Sequence, residues 1–238
     1  MKAIKKKTAK RTASRKPDPS SRSSTQQAVN LLRDMILDNR LAPGSSHLET
    51  ELASLLGMSR TPVREAALVL QARGLVEVKP RHGIRILPLA PEDMAEIYDI
   101  LTELECLAVE KAAQANLSSD KFAAADRAIA EMDHALEADD LGAWARADAA
   151  FHAELVRLGG NSRIAAIVRT YSDQVHRARK FTLTLRPRPV QSNDDHRRVL
   201  EAMKSGDWKT ARKAHREHRI TAKHTLVDII EQHGLKSL

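Results

Sequence analysis

Apolar positions recur every three or four residues along most of the chain and alternate only across one short stretch near residue 80. From Gln26, the residues Val29, Leu32, Ile36 and Leu37 keep helical spacing, which predicts a helix ending near Asn39. Leu41-Ala-Pro-Gly44 breaks the chain. Leu48, Leu52, Leu55 and Leu56 mark a short helix over 49–56, closed by the turn Gly57-Met-Ser59. A third helix runs from about Thr61 to Arg73, with Val63, Ala66, Ala67 and Leu70 on one face. Pro62 lies early in it, where a missing N–H costs little, and Gly74 stops it. Leu75-Val-Glu-Val78 and Ile84-Arg-Ile-Leu87 read as two short strands joined by Pro80-Arg-His-Gly83. Three helices and a β-hairpin in this order predict a winged helix-turn-helix.

Pro88 and Pro91 mark a linker, and everything beyond has the helical period. Helices are expected over 91–115, 118–138, 140–158, 161–186, 192–205 and 207–233, with Ser192 as the N-cap of the fifth. The fold class is therefore mainly α: a winged helix-turn-helix followed by an all-α six-helix bundle able to enclose a pocket. Ile164, Val168, Tyr171, Val175, Ala178, Thr182 and Leu185 make a stripe that turns helix 161–186 toward the bundle. Helix 91–115 is apolar on more than one face, through Ile97, Ile100, Leu101, Leu104, Leu107 and Ala108, which suggests a second subunit as partner. The expected divisions are a tail at 1–25, a reading domain at 26–87, a linker at 88–91 and a helical domain at 92–238.

Charge changes this picture at one end only. The 238 residues carry a net charge of +8, and residues 1–25 hold nine Lys or Arg against Asp18. The rest of the chain is balanced at 30 bases and 30 acids. This Ser-, Thr- and Pro-rich tail has too few apolar groups to offset ordering, and is expected to be a disordered basic arm that adds phosphate affinity or only solubility. The single Cys106 excludes an internal disulfide framework and a Cys-rich zinc finger, and fits a reducing cytosol. No apolar run reaches the ~18 residues of a membrane helix, and no signal-peptide pattern follows the cationic start. A cytoplasmic location with no membrane partner is expected.

The densest chemistry before the linker lies in Leu52-Ala-Ser-Leu-Leu-Gly-Met-Ser-Arg-Thr-Pro-Val-Arg-Glu-Ala66. A helix that opens on Ser59-Arg-Thr61 offers free N–H donors to phosphate. Arg60 and Arg64, four apart, share a face, and arginine grips guanine O6 and N7 bidentately. The string from Leu41-Ala-Pro-Gly44 through Ser59-Arg-Thr-Pro-Val-Arg-Glu-Ala66 to Arg73-Gly-Leu-Val76 and Gly83 resembles the GntR family of bacterial transcription regulators. The resemblance implies that Arg60 and Arg64 contact DNA, with Ser59, Thr61, His82 and Gly83 at the helix start and wing tip. Thr50 stands where the fatty-acid branch of that family reads DNA with an arginine.

Of the ten histidines, His152 follows Asp148 by one helical turn, a spacing that puts carboxylate and imidazole on one face as half of a metal site. His196, His215 and His218 lie on the last two helices. Spacing alone equally suits ordinary hydrogen-bonded histidines. Asp148-Ala-Ala-Phe-His152, then Asp195-His196 with Leu200 and Ala202, then Ala211 with His215 and His218, is similar to the FCD ligand-binding domain of the FadR branch. That resemblance, over roughly 92–230, implies that Asp148, His152, His196 and His218 ligate a divalent metal, Zn or else Ni or similar. It also implies a small organic-acid effector. Leu101 replaces an arginine that commonly holds the acid, so Arg179, Asn193 and His215 are assigned to the effector pocket. His47, His134, His176, His224 and His233 are read as surface groups.

The function expected is a metabolite-responsive repressor. It would be a homodimer on a pseudo-palindromic double-stranded operator, released by a small carboxylate at a metal-containing pocket. The alternative is a helical-bundle metalloenzyme with an appended DNA-binding domain, since three histidines and an aspartate suffice to activate water.

Overall fold

The computed structural model describes residues 19–233, with side chains from Ser24 onward. Helix α1 (Pro19–Leu37) leads to a two-residue strand β1 (Ser46–His47), then α2 (Glu49–Leu56) and α3 (Arg60–Ala72). Strands β2 (Val76–Lys79) and β3 (Gly83–Ile86) follow. The bundle comprises α4 (Pro91–Gln114), α5 (Ala123–Glu137), α6 (Leu141–Leu158), α7 (Ser162–Thr182), α8 (Val190–Lys204) and α9 (Trp208–Gln232). The expected fold class is present, three helices with a wing and then six helices. Three details differ from the sequence reading. Helix α1 begins at Pro19, so the expected tail gives up its last seven residues to a helix, and the remainder of that tail lies outside the described residues. The sheet has a third strand, in the order β1-β3-β2, all antiparallel. And α8 begins at Val190 after Pro189, which puts Ser192 inside the helix and not at its cap.

Local chemistry fixes the boundaries elsewhere. Pro91 opens α4, followed by Glu92 and Asp93, whose charges suit the positive helix end. The side chains of Asp140, Asn161 and Asp207 cap α6, α7 and α9, accepting from backbone N–H groups at 2.8–3.2 Å. The wing needs Gly83: its φ is +85°, and a Cβ there would meet the His47 carbonyl oxygen at 2.3 Å across the β1–β3 pair.

The reading domain has its own core, with Val29, Leu32, Ile36, Leu52, Val63, Leu70, Ile84 and Ile86 all buried. In the bundle α4 packs along α9, α5 against α6 and α8 against α9. Helix α7 crosses back to the reading domain. Asp173, buried on α7, accepts from Arg33 Nε of α1 at 2.7 Å and from Arg73 at 3.2 Å. Gln174 Nε2 donates to the Arg73 carbonyl at 2.9 Å, and Arg177 donates to the Leu87 carbonyl at 2.7 Å. Lys180 pairs with Asp38.

A close approach of two helices involves Gly159, at the end of α6, where a Cβ would lie 2.7 Å from Ala108 Cα and O on α4. Backbone cannot yield there as a side-chain tip would. Gly159→Ala is expected to cost about 1–3 kcal/mol by overpacking, read as a lower urea midpoint with an unchanged slope. An unchanged midpoint would show that α4 and α6 are free to separate.

Candidate functional site

Two groups of predicted residues are placed very differently. The first is a solvent-facing surface at the start of α3. Ser59 is the N-cap residue in extended conformation, with no capping bond from its side chain. Arg60 and Arg64 project outward with side chains 68% and 70% exposed, each loosely facing Glu49 of α2 at 3.7 and 3.8 Å. Thr50, Thr61 and His82 are exposed, and Gly83 sits at the base of the hairpin turn. His82 is held by its N–H to the Lys79 carbonyl at 3.0 Å, beside Arg81 at φ +67°. Arg81, an unanticipated neighbour, puts a further cation at the wing tip. Ion pairs this exposed and this long are weak, so the arginines remain available to a stronger anion.

The second group is buried at the centre of the bundle. Asp148 and His152 come from α6, His196 from α8 and His218 from α9, and all four converge. His196 Nε2 and His218 Nε2 are 3.2 Å apart, and Asp148 Oδ1 is 3.7 Å from Nε2 of both His152 and His196. Two imidazole nitrogens bound at about 2.0–2.1 Å to a tetrahedral ion would lie about 3.3 Å apart. His152 Nε2 is buried and has no partner in the protein. A buried lone pair without a donor, facing two other nitrogens and a carboxylate, fits a divalent cation.

Surrounding carboxylates fix which nitrogen His152 and His218 present, whereas Nδ1 of His196 has no partner. Glu105 Oε2, on α4, accepts from His152 Nδ1 at 2.9 Å and from His215 Nε2 at 3.0 Å. Asp195 Oδ2 faces His218 Nδ1 at 3.4 Å. Both contacts assign the proton to Nδ1 and leave Nε2 as the free donor atom, the arrangement usual behind metal-ligating histidines. Glu105, His152 and His215 form a second possible ligand triplet sharing His152. In that triplet the nitrogen of His152 is the one already satisfied by Glu105, which favours the first set.

Burial sets the protonation states. Loss of water lowers His152 to about 4 and His196 well below its ordinary value, and lowers His215 as well. Burial opposes ionisation of Asp148 and Glu105, but the guanidiniums of Arg179 and Arg219 respectively, with neighbouring imidazoles, hold both carboxyls below the usual range.

A cavity of about 340 Å³ adjoins the cluster between α4, α6, α7 and α9, and His152 is part of its wall. Of the residues assigned to an effector, Arg179 lines it but is engaged: it donates to Asp148 and, through Nε, to the Tyr98 hydroxyl at 3.1 Å. Asn193 is elsewhere, accepting from Trp144 Nε1 at 2.9 Å and donating to Asp133 at 2.8 Å. It ties α8 to α5 and α6. His215 is buried behind Glu105 and does not line the cavity. Two lining groups were missed. Glu105 falls one helical turn after Leu101, and Arg219 one turn after His215. Those i,i+4 spacings were the available signal. His134, His224 and His233 are exposed as expected, whereas His47 and His176 are half-buried and His176 borders the cavity.

Residues 24–86 match the family model described as bacterial regulatory proteins, gntR family, and residues 96–221 match the FCD domain. An HTH-type transcriptional regulator of Agrobacterium vitis is 41% identical over 139 residues, 58% of this chain and 81% of the relative. The gluconate operon transcriptional repressor of Bacillus licheniformis is 25% identical over 182 residues, 76% of this chain and 73% of the relative. The solved structure of McbR from E. coli has a TM-score of 0.74 at 22% identity, covering 88% of this chain and 98% of that one, a likeness of fold.

The buried imidazoles of His152, His196 and His215 make the metal-free protein acid-sensitive. Their folded pKa values lie below the unfolded value near 6.5, so the unfolded chain takes up protons first as pH falls. The contribution of His152 is whole above pH 6.5 and is lost between 6.5 and about 4, and the other two rings lose stability in the same direction. For His152 alone the loss is on the order of 3 kcal/mol, at about 1.4 per pKa unit. Chelator-treated protein should therefore melt progressively lower from pH 7 to 5, and His152→Gln should flatten the profile. A flat profile for the unaltered chain would mean solvated rings.

Proposed function

Because the chain belongs to the GntR family of bacterial regulatory proteins, with an FCD domain, and so is a DNA-binding transcription regulator and not an enzyme, we propose that it is a homodimeric repressor released by a small organic acid. The metalloenzyme alternative is set aside by that membership. The observation that carries the metal-dependent part is the convergence of Asp148, His152, His196 and His218 beside the partnerless buried Nε2 of His152. These four residues would hold the ion, Zn or a similar divalent metal. When bound, the ion supplies a Lewis-acidic anchor for a carboxylate beside the cavity.

The same reading explains how the two domains communicate. Helix α7 contributes Val168, Val175, His176 and Arg179 to the cavity, and Asp173, Gln174, Arg177 and Lys180 to contacts with the reading domain and linker. A ligand that prefers one position of α7 shifts the reading helix by the difference in its affinity for the two positions. Ile100 on α4 and Ile220 on α9 remain exposed, an apolar surface suited to a second subunit. A two-fold dimer would read two half-sites, with Ser59, Arg60, Thr61, Arg64 and His82 at each groove. A cytoplasmic location follows from this role; no described helix is long and apolar enough to cross a membrane.

Arg64→Ala should reduce the preference for operator over a scrambled duplex by roughly 1–3 kcal/mol while leaving the melting temperature unchanged, because the side chain is exposed. Competition binding with both duplexes measures this, and an unaltered preference removes Arg64 from the base readers.

Elemental analysis of protein purified without chelator or polyhistidine tag should find about one divalent ion per subunit. His196→Ala and His218→Ala should each lose occupancy 10- to 100-fold in affinity or more, and keep operator binding without effector. His215→Ala should keep the ion. Loss on His215→Ala with retention on His218→Ala would move the ion to the triplet of Glu105, His152 and His215.

A further inference from the structure

The cavity beside the histidine cluster is shaped and lined for one kind of acid. Its buried wall is Leu101, Val156, Val168 and Val175, with alanines between. The polar lining is Glu105, His152, His176, four arginines and one hydroxyl, on Ser172, which is spent on the Val168 carbonyl at 2.7 Å. Along the aliphatic wall the hydroxyls of a polyhydroxylated ligand would go unmatched, each at a cost equivalent to about tenfold in affinity or more. At about 340 Å³ the space is at the small end for ligand pockets.

The most buried of its four arginines is Arg219. The side chain is 1% exposed and stacks over the Tyr98 ring, 4.4 Å from its centroid. NH1 is turned toward Glu105 at 3.6 Å, beyond a hydrogen bond. Nε and NH2 have no partner. Those two atoms form the edge of a guanidinium that accepts a carboxylate bidentately. Of the other arginines in the wall, Arg179 already serves Asp148 and Tyr98, Arg157 is paired with Glu154, and Arg169 is exposed to solvent. A buried guanidinium with an unused bidentate edge, above an aliphatic wall, is a recognition element awaiting an anion.

We infer that the cavity selects a monocarboxylate with a compact apolar body, a branched-chain or aryl acid in preference to a polyhydroxy acid, and that Arg219 determines this specificity by gripping the carboxylate. The inference rests on the reading of the chain as an acid-responsive regulator and adds the chemical class of the acid.

Titration calorimetry on the full-length, metal-replete protein tests it with four probes: 4-methylpentanoate, phenylacetate, galactonate and neutral 4-methylpentan-1-ol. The two apolar acids should bind at least about tenfold tighter than galactonate, and 4-methylpentanoate about tenfold tighter than its alcohol. Arg219→Gln should remove the advantage of the acid over the alcohol and leave alcohol binding unchanged. Arg219→Lys keeps the charge without the bidentate edge and should retain part of it, so the comparison survives if the glutamine variant fails to fold. Galactonate binding tighter than either apolar acid overturns the class of ligand while leaving an acid-responsive regulator intact. Equal loss of acid and alcohol on both substitutions overturns the role of Arg219. Absence of binding by all three acids overturns the inference together with the reading beneath it.

Discussion

The burial of a balanced set of charges at the centre of the bundle constrains everything around it. Asp148 and Glu105 are almost fully enclosed, and so are Arg179 and Arg219. Half-buried Asp195 and Arg186 sit at the edge. Isolated, any one of these ions would be prohibitively costly to bury. Together they neutralise one another, and burial opposes protonation of His152, His196 and His215 among them. Breaking one partner leaves an uncompensated charge, so the arrangement allows little drift. That rigidity keeps the Nε2 atoms of three rings from three helices within reach of one point.

The same balance explains why acid binding and metal binding belong together in the proposed function. The carboxylates and guanidiniums of the cluster balance, so they leave no excess charge to attract an anion. A divalent cation placed among them adds two positive charges in a medium that screens weakly. An anion beside it then relieves the excess, and Arg219 offers the geometry to hold one. In that function the metal would supply charge, the arginine direction and the aliphatic wall selection.

Much of this was legible in the sequence. Helical periodicity placed six bundle helices within a few residues of their observed ends, because each has a core-facing stripe and most have a cap or a Pro or Gly break. The convergence of Asp148, His152, His196 and His218 was anticipated by spacing and family resemblance, which name residues but carry no distances. What stayed hidden depends on partners far along the chain. Strand β1 is two residues long and exists only because β3 pairs with it. Asn193 looks like a polar pocket residue, yet its partners Trp144 and Asp133 lie 49 and 60 residues away. Glu105 and Arg219 are unremarkable charges on long helices until α4 and α9 pack together. Arg179 shows the converse, since a pocket-facing cation is of little use to a ligand once Asp148 has claimed it.

Placing pocket wall and reader contacts on one helix has a further consequence. Val175 and Gln174 are adjacent in α7, one against the cavity and the other against the Arg73 carbonyl at the end of the reading helix. A rigid helix cannot move one without the other, and the bare Cα of Gly74 gives Gln174 its room, since a Cβ at that position would meet Gln174 Nε2 at 2.4 Å. Coupling of this kind is reciprocal in free energy: whatever factor an acid takes from operator affinity, operator takes from acid affinity. The exposed arginines of α3 lie outside this linkage. They are held only by loose contacts to Glu49 and share no partner with the buried cluster. In the proposed function, sequence preference at the DNA and specificity for the acid would therefore be free to change independently, while the strength of the response would be set on α7, by Asp173 and its two arginines.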